Sequence, residues 1–452
     1  MKWARNKFYQ WEDKKDIIKK YFVNNEYPLE QWNQKQWNAY RSEALAEIVQ
    51  HAIENNEYYR EKLNKVGIVD KKSFSFEKFE KLSCLTKKEL IDYPNLILSV
   101  PENKIVQIFL STGTTSDSVV YVKHTWEDLF IHDLAPEMPL LFPISNNDIA
   151  AVALPYEMSS AGLSYHRVLQ DGMGCAVVSV GKGGAYSEPK KTVKALQDMK
   201  VNILLTSPSY AMCLYECARE NSLVIGRDIN IKTIWLTGEG CSNAFRKRVE
   251  KLWKCKAYFY YGSLECGGIG IECKEQNGYH ICNGHVYVEI LDSETGKKLE
   301  PGQIGDIVVT TLLKDGSPFI RYNTQDLGYI EERCQCGIKL PKLILRGRKT
   351  DQIIINGIEY SPFYVEEQLM KIPEVGNNYQ FLVYNNVLLI KTEIDIGIEK
   401  SRELEEKISS QVEFGCGVPN IVEITEKIGY TGKKAQRVVH IKEDYPLGGK
   451  ML

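Results

Sequence analysis

Long apolar runs are missing from this chain of 452 residues. Met1-Lys2-Trp3-Ala4-Arg5-Asn6-Lys7 leads into charged sequence without the apolar core of a secretory leader, and no later stretch nears the ~20 consecutive apolar residues that span a bilayer. These absences predict a cytoplasmic protein with no membrane partner. A surplus of one charge is missing as well. The 57 Lys and Arg against 59 Asp and Glu leave a formal net charge of −2, which provides no basic face for nucleic acid or anionic lipid. Cysteine is thin, at 12 in the whole chain, and Cys84, Cys175, Cys213 and Cys217 sit singly in apolar surroundings, unlike the disulfide framework of a small secreted domain. Internal repeats and low-complexity stretches are absent too. What remains, 43% hydrophobic and 26% charged residues, is the composition of a globular metabolic protein long enough for two or three domains.

The pattern from Lys14 to about Leu90 is helical, with Ala44, Leu45, Ile48, Val49, Ala52 and Ile53 at helical spacing. Between Ile105 and Ala257 short apolar runs alternate with amphipathic ones. Ile149 to Leu154, Cys175 to Val180, Ile203 to Thr206 and Ile234 to Leu236 read as buried strands, and Thr192 to Met199 and Asn243 to Trp253 as helices between them. That alternation predicts an α/β fold with a layered sheet. After Gly284 the texture turns β-rich, through Val286 to Leu291 and Asp306 to Thr311, as in a small barrel or distorted sheet. The segment Arg346 to Gly357 marks a boundary, and Val365 to Lys371, Phe381 to Ile394 and Leu404 to Phe414 predict an α+β unit of about a hundred residues beyond it. The expected division is therefore residues 1–347, with a helical start over 1–100 and a β-rich end over 284–345, and a smaller domain over 348–452.

Five short motifs carry the chemistry. Ser111-Thr112-Gly113-Thr114-Thr115-Ser116 follows an apolar stretch, so a strand delivers hydroxyls around one glycine into a tight turn, where side-chain and backbone donors can meet phosphate oxygens before Asp117 adds a repelling charge. A plain turn has the same composition. Tyr260-Tyr261-Gly262-Ser263-Leu264-Glu265 offers an aromatic face for a purine, a glycine for close approach and a carboxylate for Mg²⁺. In Arg321-Tyr322-Asn323-Thr324-Gln325-Asp326, the terminal Asp can accept both ribose hydroxyls. Gly347-Arg348-Lys349-Thr350-Asp351 and Gly432-Lys433-Lys434-Ala435-Gln436-Arg437 complete the order.

In that order the motifs resemble those of the AMP-forming adenylating enzymes, and within that superfamily of acyl-CoA synthetases the phenylacetate–CoA ligase and coenzyme F390 synthetase branch. The resemblance runs from about Glu43 to Arg437 and includes His51-Ala52 to Tyr59-Arg60, Leu154-Pro155-Tyr156 with Gly162 to His166, Thr206 to Tyr210, and Gly238-Glu239. It implies a large adenylating domain with a small mobile C-terminal lid, and a two-step reaction. A carboxylate attacks the α-phosphorus of ATP, releasing pyrophosphate, and a thiol then attacks the acyl-adenylate, releasing AMP. By position, Ser111, Thr112, Gly113, Thr114 and Thr115 would hold phosphates; Gly238, Glu239, Tyr261 and Gly262 the adenine; Glu265, helped by Thr115, Mg²⁺; Asp326 the ribose; and Arg348 ribose or phosphate. Alignment on Arg437 gives the catalytic lysine as Lys434, with Lys433 the choice if the glycine is the anchor. The hinge position falls on Thr350, beside Asp351. The hydroxyl loop departs from the family pattern, with Ser116 in place of a glycine and Val119 or Val120 in place of a lysine that Lys123 could replace at a distance.

Cys334-Gln335-Cys336-Gly337 forms a thiolate knuckle, and Cys273 with His280 a second pair, a donor set able to hold tetrahedral Zn²⁺; free cysteines are the alternative. Some members of the resembled family carry a zinc knuckle here, which implies a structural Zn²⁺ on Cys273, His280, Cys334 and Cys336, with Cys282 in reserve. The branch binds aryl and arylacetic acids along the segment that here reads Tyr156 to Gly162. An aromatic residue expected near Ser159 is absent, so Tyr156, Ser160 and His166 are expected to line a wider or more polar pocket suited to a hydroxylated or heteroaromatic acid. His166 also fits a purely structural role. Three functions follow from the resemblance: an aromatic acid–CoA ligase, an adenylating enzyme that loads carrier-protein phosphopantetheine, or a non-catalytic nucleotide-binding scaffold. A homodimer is compatible with each.

Overall fold

Residues 149–272 alternate short strands with amphipathic helices, and the alternation within each strand decides what the strand separates. In the computed structural model, which describes residues 16–18, 20–21, 31–111, 119–133, 141–184, 186–384, 386–428 and 437–441, β3 (Ile149–Ala153), β4 (Ala176–Val178), β5 (Ile203–Thr206), β6 (Thr233–Leu236) and β7 (Lys256–Ser263) form a parallel sheet in the order β4-β3-β5-β6-β7. Successive side chains point to opposite faces. Val152, Ile203, Leu205 and Trp235 therefore enter one core, while Ala151, Ala153, Leu204, Ile234 and Leu236 enter another. Helices α5 (Pro208–Glu220) and α6 (Asn243–Trp253) cover the second face with Leu214, Val249 and Trp253. Burial on both faces is why these strands read as continuous apolar runs.

The β-rich stretch continues the same sheet. β8 (Gly267–Glu272), β9 (Tyr279–Ile281), β13 (Lys342–Arg348), β12 (Tyr322–Glu331), β11 (Gly305–Thr311) and β10 (Val286–Leu291) add on beyond β7 in that order with antiparallel pairing, giving eleven hydrogen-bonded strands. Before it, α1 (Gln34–Asn55) opens on a reciprocal cap between Asn33 and Gln36 and buries Trp37, Tyr40, Ala44, Leu45, Ile48, Val49, Ala52 and Ile53, the helical stripe expected from spacing. Buried Arg321 ties this N-terminal region to the antiparallel flank, with Nε 3.1 Å from Glu289 and other donors on the carbonyls of Phe79, Glu80 and Leu82. β1 (Gln107–Leu110) and β2 (Tyr121–His124) form a separate hairpin around residues 112–118.

Past Arg348 the hairpin β14 (Ile353–Ile355)–β15 (Ile358–Tyr360) leads to α7 (Pro362–Met370) and a four-stranded sheet in the order β18 (Asn420–Ile424), β17 (Val387–Ile394), β16 (Val375–Tyr384), β19 (Val438–His440), with α8 (Arg402–Cys416) against it. The expected run Phe381 to Ile394 is two strands, turned at Asn386 with φ +62°. This unit rests on α6. Arg248 donates to the carbonyls of Met370, Ile372, Val375 and Gly376, at 2.6–3.1 Å. Among the described residues no helix is long and apolar enough to cross a membrane.

Candidate active site

The loops after β6 and β7, the end of β7, the middle of β12 and the end of β13 carry expected nucleotide residues. At the end of β7, Tyr261 donates its hydroxyl to Asp326 Oδ2 at 2.6 Å, and Arg348 Nε at the end of β13 lies 3.7 Å from Asp326 Oδ1. Burial raises the Tyr261 phenol well above its ordinary value, and the adjacent Asp326 charge adds to that, so Tyr261 remains a donor. Three expected residues thus share one carboxylate, although 22 residues separate Asp326 from Arg348 and 65 separate it from Tyr261. Gly262 has no room for a side chain: a Cβ there would lie 2.5 Å from the Gly267 carbonyl oxygen.

After β7 the turn Leu264-Glu265-Cys266 buries Glu265, whose carboxylate accepts the Tyr322 hydroxyl at 3.1 Å. After β6, Gly238 takes φ +80° and Glu239 turns inward onto Lys182 Nζ at 2.9 Å and Ser209 Oγ at 3.0 Å. Burial opposes its charge, but Lys182 and Arg437 outweigh burial and hold the Glu239 carboxyl below the usual range. Arg437 itself bonds Glu366 and the Tyr379 hydroxyl, and Glu366 also accepts the Ser242 N–H, so the C-terminal unit meets the Gly238–Ser242 loop directly. Phe363 presses on that loop: a Cβ at Gly240 would fall 2.2 Å from its ring.

Ser111 closes the neck of the hydroxyl loop, with its Oγ accepting the Val120 N–H at 2.9 Å and its own N–H donating to the Val120 carbonyl at 2.9 Å. Thr112, Gly113, Thr114, Thr115 and Ser116 lie outside the described residues, as do Lys433 and Lys434. Lys123 is engaged by Asn95 and the Pro94 carbonyl. In the segment expected to meet the acid, α3 (Ser160–Arg167) starts at Ser160, capped by Ser159. The Tyr156 hydroxyl lies 3.3 Å from His166 Nδ1, which is also 2.9 Å from Ser179 Oγ, and His166 Nε2 is 3.1 Å from Gln170. His166 therefore spends both nitrogens within the protein. A cavity of about 250 Å³ lies elsewhere, lined by Lys87, Asp306, Asn323, Gln325 and Lys349, and none of the expected nucleotide residues faces it.

A family model described as AMP-binding enzyme matches residues 42–312, more than half of the chain. The chain belongs to the AMP-binding enzymes. Among relatives, a phenylacetate-coenzyme A ligase of Thermus thermophilus is 29% identical over 401 residues, covering 84% of this chain and 86% of the relative. A second, from Aromatoleum evansii, is 28% identical and covers 89% and 91%. Among solved structures, 2-hydroxyisobutyryl-CoA ligase bound to its acyl-AMP in the postadenylation state superposes with a TM-score of 0.82 at 21% identity, covering 90% of each chain. These structures share the fold of this AMP-binding enzyme.

Away from the nucleotide loops, Cys273, His280, Cys334 and Cys336 converge, their ligand atoms all within 4.8 Å of one another. Cys273 follows β8, His280 lies on β9, and the other two occupy the turn between β12 and β13, where Gly337 takes φ +88°. Sulfurs on a tetrahedral Zn²⁺ at about 2.3 Å stand about 3.8 Å apart, and Cys273 and Cys334 are 3.7 Å apart. His280 Nε2 is 3.2 Å from Cys336 Sγ, while its Nδ1 lies 2.9 Å from the Leu340 carbonyl, so Nε2 is the nitrogen that faces the cysteines. Cys282 is buried and not one of the four.

Spacing alone had not marked Lys182, Tyr322, Lys314 or Glu366. Lys182 sits in Gly181-Lys182-Gly183-Gly184 after a strand, a readable signal for a loop, but its partner is 57 residues away.

Proposed function

We propose that this AMP-binding enzyme activates an aromatic carboxylic acid with ATP and transfers the acyl group to the thiol of CoA. A carboxylate oxygen of the acid attacks the α-phosphorus, the bond to pyrophosphate breaks, and an acyl-adenylate forms. The thiol sulfur then attacks the acyl carbon, its proton is lost, and AMP leaves with the former carboxylate oxygen. The observation that carries this reading is Asp326, held between the Tyr261 hydroxyl at 2.6 Å and Arg348 at 3.7 Å. A carboxylate oriented beside an aromatic strand by Tyr261 and Arg348 is suited to accept two vicinal hydroxyls, and Glu239 with Gly238 would supply the adenine side.

Glu265, with Thr115, is the proposed Mg²⁺ position, where the ion would offset charge on the phosphates. The fit rests on a buried carboxylate that, among the described residues, accepts one side-chain hydrogen bond, from the Tyr322 hydroxyl. Lys434, three residues before Arg437, is the proposed lysine for the first step, and Thr350 the hinge position. Tyr156 and Ser160 would give the acid segment its hydroxyl character, which favours a ring bearing a polar substituent, while His166, with both nitrogens engaged within the protein, would act by holding the Tyr156 hydroxyl. The proposed Zn²⁺ on Cys273, His280, Cys334 and Cys336 is structural: four protein ligands leave no position for substrate. Support for CoA as acceptor comes from relatives named as coenzyme A ligases. Acid-dependent exchange of pyrophosphate into ATP across a panel of aromatic acids, followed by single-turnover transfer to CoA, tests the reading. Absence of exchange with every acid contradicts it.

A further inference from the structure

Lys314 is a buried ammonium, 6% exposed, that no motif in the sequence pointed to. Among the described residues no carboxylate reaches it within ion-pair distance. Its Nζ donates to the main-chain carbonyl of Glu265 at 3.0 Å and lies 4.7 Å from the centre of the Phe319 ring. The main chain just after it is pinned by a second buried group: the Asp128 carboxylate accepts the N–H of Asp315 at 2.7 Å and of Gly316 at 3.0 Å. Gly316 is required there, since a Cβ would sit 2.4 Å from Asp128 Oδ2. Asp128 also accepts the Thr125 N–H at 2.9 Å, and Thr125 directly follows β2, the strand returning from the hydroxyl loop. Hydrogen bonds to two buried charges, linked through the main chain of residues 314–316, thus join the end of β2 to the turn that carries Glu265.

From this we infer that Lys314 is a positioning residue for the adenylation step: it fixes the Glu265 turn from behind and is itself anchored, through the Asp128-pinned segment 314–316, to the end of β2. The inference rests on Glu265 being the Mg²⁺ carboxylate. Two effects of the ammonium compete. Its charge repels a divalent ion, while its bond to the Glu265 carbonyl orients the ligand. Because that bond is to the main chain, whereas the side chain turns to Tyr322, orientation is the effect expected to win. Partners that orient a metal ligand without touching the metal typically change affinity by about ten- to a hundredfold when removed.

The test titrates Mn²⁺ into wild type and the variants Lys314→Met, Lys314→Gln, Lys314→Arg and Glu265→Gln at saturating ATP. Free Mn²⁺ is read by electron paramagnetic resonance, folding by melting curves, and thioester formation from preformed aryl-adenylate is followed alongside. The expected result is a rise of about tenfold or more in Mn²⁺ half-saturation for Lys314→Met and Lys314→Gln, about threefold or less for Lys314→Arg, and thiol transfer within about threefold of wild type. Folded Met and Gln variants that bind Mn²⁺ as wild type does, or more tightly, overturn the inference while Glu265→Gln still loses binding. Equal loss of both half-reactions also overturns it, because the role is then general to the fold. Wild-type binding by Glu265→Gln removes the Glu265 reading itself.

Discussion

Replacing Cys334 with serine removes one sulfur from a cluster whose geometry already matches a metal, and the consequence can be worked through. The Cys273 and Cys334 sulfurs stand 3.7 Å apart, near the edge of a Zn²⁺ tetrahedron, and the Ile338 N–H lies 3.4 Å from Cys336 Sγ, a donor suited to a thiolate. Burial pushes the Cys273 thiol up to about 12 and lowers the His280 imidazole, so without metal both are neutral groups. A Zn²⁺ held there would replace the thiol protons and tie the β8–β9 connection to the β12–β13 turn. Free zinc at a thousandfold over its dissociation constant stabilises the folded state by about 4 kcal/mol. In a chain of this length each kcal/mol moves the melting temperature by about 1–2 °C, so the expected loss is about 4–8 °C. Protein purified without a His-tag is assayed for zinc by elemental analysis and melted with and without chelator. The wild type is expected to hold close to one equivalent and to lose those degrees on chelation, and Cys334→Ser to hold little zinc and ignore the chelator. Less than about half an equivalent in wild type, or a chelator shift that persists in the variant, refutes the metal reading.

Tyr261→Phe deletes the 2.6 Å bond to Asp326, a charged hydrogen bond of about 1.5–3 kcal/mol, and should raise the KM for ATP in pyrophosphate exchange by roughly ten- to a hundredfold; an unchanged KM contradicts the ribose assignment. Lys182→Met strands the buried Glu239 carboxylate at a cost of about 3–5 kcal/mol at neutral pH, read by denaturant unfolding. Glu239 is held below its ordinary value of 4.5, so the pair's stabilisation is complete above that pH and fades as pH falls through the folded value. The variant should therefore differ most near pH 7 and converge on wild type in acid, and a gap that widens in acid would falsify the pairing. Gly262→Ala drives a methyl to 2.5 Å from the Gly267 oxygen, and a loss of about 1–3 kcal/mol with reduced exchange is expected; wild-type unfolding would show that the turn yields.

Much of the fold was legible because each strand of the parallel half is buried on both faces. Ile203 to Thr206 and Asn243 to Trp253 stand in the structure with the boundaries their apolar pattern gave, and α1 buries the stripe read from spacing. The Cys/His cluster was legible for a different reason: residue types and spacing left free cysteines open, and the family resemblance singled out Cys273, His280, Cys334 and Cys336, which the fold brings together. Illegible were the polar pairs made by tertiary packing. Lys182 and Glu239, Tyr322 and Glu265, and Arg437 and Glu366 lie 57 to 71 residues apart, and no periodicity links positions joined only by the crossing of strand ends.

The central claim is that acid-dependent adenylation occurs at the loops around Asp326 and Glu265. Pyrophosphate exchange into ATP, measured with wild type and Lys434→Ala against a panel of aromatic acids, addresses it most directly. The account predicts exchange that requires both an aromatic acid and Mg²⁺, its abolition in Lys434→Ala, and near-normal thioester formation by that variant from preformed aryl-adenylate. No exchange with any acid, or exchange by Lys434→Ala equal to that of wild type, would contradict it.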